Sequence, residues 1–299
     1  MSSRRRGANV GFGADTGHTP RHQGISALSQ EPPLRFCFDP RLCVDNVICM
    51  MDGTTLVVIA ATFLLAGTVK GVIGLGLPTV SLALLSVAID LPSAMALLLI
   101  PSFATNLWQA SVGGKALSIL HRIWPFLLMA SVTVWVGATA LTRIDLEILS
   151  ALLGLLLVAY GTMNLSGFRM VLSVRQERWA GPLIGTANGV LTGMTGSFVV
   201  PGVMFLQAIG LPRDMLIQSM GILFTASTLA LAVALGGNDL LNTELGTVSA
   251  FALVPAIAGM VVGQRVSRML SETVFRQVFF VSLTALGAYI VIRALARLG

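Results

Sequence analysis

A chain of 299 residues that is 55% hydrophobic and only 11% charged, with a mean hydropathy of +0.85, lies outside the composition of ordinary soluble domains and reads as a polytopic membrane protein. Its formal net charge of +6 does not point to nucleic acid, because the basic residues cluster at the ends of apolar runs without the aromatic interleaving that base stacking needs. Three cysteines, Cys37, Cys43 and Cys49, all precede the first apolar run, with no CxxC and no nearby His, which is a poor zinc signal.

Residues 1–49 are rich in Arg, Gly, Ser, Pro and Gln and show no sustained apolar period, so they read as a disordered tail. Arg4 to Arg6 is not followed by an apolar stretch of the kind a secretory signal needs. The Met50-Met51 pair leaves open a start at that point, with the tail an upstream extension. Eight apolar runs of about 20 residues each, enough to cross a hydrocarbon core, follow at roughly 54–75, 93–112, 123–142, 146–166, 181–196, 214–235, 245–264 and 273–293. Two shorter runs, about 77–90 and 198–210, are too short for comfortable independent spans and read as return arms of hairpins. The predicted fold is therefore all-α, with about eight transmembrane helices plus two short arms.

The glycine-punctuated segment Gly67 to Pro92 recurs as Gly185 to Pro212. Gly67 matches Gly185 and Gly71 matches Gly189 at an offset of 118 (185 − 67 and 189 − 71), which sets Lys70 opposite Asn188. Two residues later in register, at an offset of 120, Gly76 matches Gly196 and Leu91-Pro92 matches Leu211-Pro212. This divides the chain into one membrane repeat at 50–168, a linker at 169–180 and a second repeat at 181–299. Lys115 and Arg122 lie in one inter-span linker, whereas the matching linker carries Asp239 and Glu244, so corresponding loops face opposite sides and the halves are inverted. Loops 113–122, 167–180, 211–214 and 265–272 are then cytoplasmic and the tail is outside; a single crossing per hairpin would instead leave the tail inside.

Lys70 is the one charge deep in an apolar run. On a helix Gly67, Lys70 and Gly74 share a face, so the lysine projects between positions without side chains, leaving room for a ligand or a neighbouring helix. A lysine at membrane depth costs roughly 3 kcal/mol on insertion scales and needs a partner. No Asp or Glu lies inside a predicted span, so the natural partner is an anion from outside, held also by helix-end amides and by Asn188. The competing reading has Lys70 snorkelling to an interface while the glycines only pack helices. Pro78 and Thr79, and in the second copy Thr192, Thr195, Ser197 and Pro201, flank the two expected breaks, which need satisfied backbone groups or a wet cavity. Asn106 and Gln109, with Gln218 and Ser219 in the other half, either line the same cavity or join helices by hydrogen bonds. Trp108, Trp124 and Trp179 read as interfacial anchors.

Enzyme chemistry finds no support. His18 and His22 lie in the tail and His121 in a loop, no HExxH occurs, and Gly74-Leu-Gly76 lacks the third glycine of a dinucleotide loop. The sequence points to no metal and no cofactor.

The run from Gly67 through Lys70, Gly71, Gly74, Gly76 and Pro78 to Thr79, repeated at Gly185 to Pro201, resembles the TauE/SafE family of sulfite exporter-like permeases. The likeness extends from about residue 52 onward and takes in Asn106. It implies a multi-pass permease of the bacterial inner membrane for a small anion such as sulfite, sulfoacetate or a related sulfur-containing or organic anion. Gly193-Met-Thr-Gly196-Ser197 departs from the family's run of adjacent glycines, placing hydroxyls where bare backbone is usual. The resulting expectation is alternating access around a substrate site made of Lys70, Gly71, Gly74, Gly76, Pro78, Thr79, Asn106, Asn188, Gly189, Gly193, Thr195, Gly196, Ser197 and Pro201. A channel-like anion pore and a membrane assembly factor are the alternatives. The expected partners are the small anion and the bilayer, with self-association into a homo-oligomer open.

Overall fold

A computed structural model of the chain describes residues 53–167, 171–267 and 271–298. The tail with its cysteines, the Met50-Met51 pair and Arg169 of the expected linker lie outside them. The order is α1 (Gly53–Ile73), α2 (Leu77–Ala88), α3 (Leu91–Ser111), α4 (Ala116–Val132), α5 (Val134–Leu141), α6 (Leu146–Leu165), α7 (Val174–Thr195), α8 (Gly202–Ala208), α9 (Arg213–Gly236), α10 (Thr243–Val266) and α11 (Glu272–Leu298).

The described residues form an all-α, polytopic membrane fold. Seven helices are long and apolar enough to cross a bilayer, α4 and α5 counting as one span from Ala116 to Leu141. The expected eighth span, 181–196, is the apolar part of α7. That helix starts earlier, at Val174, because Ser173 and Gln176 form a reciprocal capping box. Its opening turns then carry Arg175, Gln176, Glu177 and Arg178, which lower its hydropathy. Exposed apolar side chains such as Leu128, Val132, Val254 and Val278 stud the outer helices. Bilayer lipid covers such a surface without cost, whereas water would not.

Hydrogen bonds fix which helix ends meet. Leu172 N–H donates to Ala208 O at 2.9 Å, Lys115 N–H to Gln218 Oε1 at 3.2 Å, and Gln109 Nε2 to Ile217 O at 2.8 Å. The loops after α3, α6 and α8 therefore share one side. At the other side Arg297 pairs with Glu147 at 2.8 Å, and Arg293 Nη1 donates to Val87 O at 2.5 Å.

Under the repeat's offsets α1 corresponds to α7, α3 to α9, the α4–α5 span to α10 and α6 to α11. Corresponding helices run antiparallel. The C-terminal end of α3 lies on the N-terminal end of α9, since Gln218 Nε2 also donates to Ala110 O at 2.9 Å. Likewise α6 and α11 meet with Glu147 against Arg297 and Tyr160 edge-on to Phe280, ring centroids 5.3 Å apart. A dyad along the membrane normal would leave corresponding helices parallel, so these pairs carry the inverted arrangement. Close packing obeys the same exchange: α1 lies on α10, and α7 on α4 and α5.

Prolines lie inside α3, α4, α7 and α10. Pro101 inside α3 has no N–H, so Leu97 O loses its helical donor. Ser249 of α10 repairs the gap: its hydroxyl donates to Leu97 O at 2.8 Å and accepts from Ile100 N–H at 3.2 Å. Ser249→Ala should cost about 1–3 kcal/mol, the penalty for orphaning buried backbone groups, and a thermal unfolding scan of purified protein in detergent measures it.

Candidate functional site

Each half opens with a long helix that breaks at a left-handed glycine. α1 ends at Ile73, after which Gly74 takes φ +84° and donates to Lys70 O at 2.8 Å. The positive φ suits a residue without Cβ and closes the helix four residues after the lysine. Gly76, at φ +112°, then caps α2, with Pro78 in its first turn. α7 ends in the same way at Gly196, φ +73°, whose N–H donates to Thr192 O at 2.7 Å.

The helical face expected to hold Gly67, Lys70 and Gly74 divides. Gly67 packs on the backbone of Ala256 and Met260 in α10, Lys70 turns to α3, and Gly74 lies beyond the helix end. Lys70 is 4% exposed. Its ammonium donates to Thr105 Oγ1 at 3.2 Å and to Asn106 Oδ1. Both acceptors are neutral, and among the described residues no carboxylate pairs with it. The snorkelling alternative therefore does not describe this side chain: it bends inward to a neighbouring helix.

A cavity of about 330 Å³ reaches Lys70 from the side where the α3–α4 and α8–α9 loops lie. Lys70, Gly71, Gly74, Thr105, Trp108, Gln109 and Gln264 line it. Asp214, an exposed residue of the first turn of α9, also lines it. The sequence left Gln109 between lining a cavity and joining helices, and it does both, its Nε2 donating to Ile217 O; Thr105, Trp108, Asp214 and Gln264 were not expected here. Thr105 was legible as a hydroxyl beside Asn106 in an apolar run. Trp108 looks like any span-end anchor, and Asp214 like an acid favoured at a helix N-terminus.

The second copy is built differently. Asn188 is fully buried, and its Oδ1 accepts from Gly202 N–H at 2.9 Å. It caps the start of α8 from inside α7, while its Nδ2 has no protein partner. Thr192 Oγ1 donates to Ser197 O at 3.0 Å and Thr195 Oγ1 accepts from Ser197 N–H at 3.3 Å, so hydroxyls satisfy this break. Gly189 and Gly193 pack on the backbone of α4 and α5, and Pro201 precedes α8. Lys70 and Asn188 thus hold corresponding places but bond to different partners. In the first copy Thr79 is buried with an unpartnered hydroxyl.

On the same side a second cavity, about 470 Å³, lies between α4, α7 and α8, lined by His121, Arg122, Trp124, Glu177, Arg178 and Phe205 among others. Arg122 spans it with two 2.9 Å bonds to Glu177 and one of 2.9 Å to Ile209 O. His121, expected in a loop, belongs to α4.

Membrane-length helices whose counterparts run in opposite directions define a multi-pass membrane protein with the architecture of a permease. The family model of the sulfite exporter TauE/SafE matches residues 59–290, and the chain belongs to that family. Membership implies a membrane exporter or permease. No curated protein and no solved structure matches the chain.

Proposed function

We propose that this protein moves a small oxyanion, sulfite or a related sulfur-containing or organic anion, across the inner membrane by alternating access, with Lys70 as the charged contact. One observation carries the reading: among the described residues a buried ammonium is held only by neutral oxygens, and it lines a cavity. A lone charge in a membrane interior usually marks a substrate path, and an incoming anion supplies the missing counter-charge. Gly71 and Gly74 give the anion backbone to approach, Thr105 and Asn106 add polar groups, and Gly76, Pro78 and Thr79 shape the turn. Asn188, Gly189, Gly193, Thr195, Gly196, Ser197 and Pro201 form the corresponding break that would serve the opposite-facing state.

Charge distribution orients the cavity. Among the described residues, Lys115, Arg122, Arg175, Arg178, Arg213, Arg265 and Arg276 lie toward its side, and Arg143, Arg293 and Arg297 toward the other. By the positive-inside rule the cavity opens to the cytoplasm, as export requires. The direct test reconstitutes the protein in liposomes and follows efflux of sulfite, sulfoacetate and chloride. Wild type should carry at least one oxyanion saturably and faster with exchangeable anion on the far side, which a pore would not do. Lys70→Gln should lower that flux at least about tenfold, the equivalent of about 1.4 kcal/mol. Undiminished flux in the variant would sink the assignment.

A further inference from the structure

We propose that Asn106 is a positioning residue for Lys70, a neutral keeper that holds the ammonium until an anion displaces it; this rests on the anion-permease reading above. Thr105 Oγ1 donates its single proton to Pro101 O at 2.8 Å, so toward Lys70 it can only accept. Asn106 gives its oxygen to the same ammonium, which fixes the orientation of the amide. Its Nδ2 is then left without any protein partner, although the residue is 0% exposed. Buried amide donors are seldom left unpaired, and one that is calls for a ligand or water.

The placement gives Asn106 its role. Lys70 and Thr105 line the cavity and Asn106 does not, so an entering anion meets the ammonium first and the amide behind it. Two of the three ammonium protons are engaged by neutral oxygens. A charged oxygen makes a bond roughly twice as strong as a neutral one, so it can take Lys70 from Oδ1. The proton released from Oδ1 then joins the third, unengaged one, so the ammonium offers the anion two donors while Thr105 keeps its own contact. Neutrality is the essential property of the keeper. A carboxylate in its place would hold Lys70 permanently and cancel the charge that attracts the substrate.

The test uses full-length protein in liposomes with sulfite as the probe, measuring KM, kcat and thermal unfolding for wild type, Asn106→Asp and the exchange variant Lys70→Asn/Asn106→Lys. Asn106→Asp should raise the KM for sulfite at least about tenfold, through the lost Coulomb attraction, while unfolding at the same or a higher temperature. A merely structural asparagine would not give that split. The exchange variant, which returns one lysine and one amide to the same contact, should recover saturable sulfite transport. A wild-type KM in Asn106→Asp overturns the keeper role and leaves the function of Lys70 standing. If Asn106→Asp fails to fold, the exchange variant decides: folded and inactive, or unfolded as well, it overturns the proposal. A wild type that moves neither sulfite nor sulfoacetate removes the anion reading itself.

Discussion

Gly71→Leu should abolish the folded protein, and even Gly71→Ala should be sharply destabilised. A Cβ at Gly71 would fall onto Met260 O, with Gln264 N and Gly263 Cα each 2.9 Å away, all of them backbone atoms that cannot rotate aside. The same close approach is made from the other helix, where Gly259 and Gly263 press on the backbone of Leu64 and Thr68. Two parallel membrane helices held this near gain dispersion energy along their length, with no hydrophobic force to replace it if they separate. The expected loss for leucine is at least about 3 kcal/mol, the upper end of the overpacking range. Gly246→Ala serves as the control, because its Cβ would meet nothing within 4 Å inside a regular helix, where alanine gains about 0.5–1 kcal/mol over glycine. Monodispersity after extraction and thermal unfolding in detergent measure both. A well-folded Gly71→Leu protein would show that α1 and α10 do not pack as described.

That interface also shows how far the sequence could be read. Apolar runs of membrane length are strong signals because lipid leaves the backbone few alternatives, and the spans lie close to where the runs placed them. Inversion was legible from the charges of two loops, and the helix pairing supplies its geometric counterpart. The start of α7 was misplaced although Ser173 and Gln176 spelled a capping box, because the charged turns that follow mask the helix from any reading by hydropathy. The short arms were legible from the glycines, yet α8 has only seven residues, fewer than its apolar run suggested, because Phe198 to Pro201 belongs to the break and Ile209-Gly210 to the turn that follows.

The site was legible in its charge and not in its pairing. Lys70 stood out because an ammonium in an apolar run is costly wherever it ends up. Which neighbour meets it depends on the rotation of α1 about its own axis. The glycine face sets that rotation by docking on α10, which leaves Lys70 turned toward α3. Repeat matching put Asn188 opposite Lys70 in alignment, but a correspondence under a dyad is a relation between places, not a contact. Asn188 instead answers a local need, the unpaired N–H at the start of α8.

Arg122→Ala should destabilise the protein more than removing Arg122 and Glu177 together. The Glu177 side chain is only 9% exposed, and Arg122, 39% exposed, gives it two parallel 2.9 Å bonds. Losing the arginine strands a carboxylate against α4 and α8. Removing one member of a buried pair costs about 3–5 kcal/mol, and the partial exposure of Arg122 reduces this to roughly 2–4 kcal/mol through solvent screening. In the Arg122→Leu/Glu177→Leu variant no charge is stranded, and much of that loss should return. Arg122→Lys should not rescue, since a single ammonium cannot reproduce the planar fork that also reaches Ile209 O. Unfolding temperatures of the four proteins in detergent provide the comparison. Equal losses in Arg122→Ala and the double variant would mean that Glu177 finds water when the arginine leaves. In that case the pair would be a surface contact, and the tie between α4, α7 and the segment after α8 would come from packing, with Phe126 stacked on Phe205 at 4.6 Å as its centre.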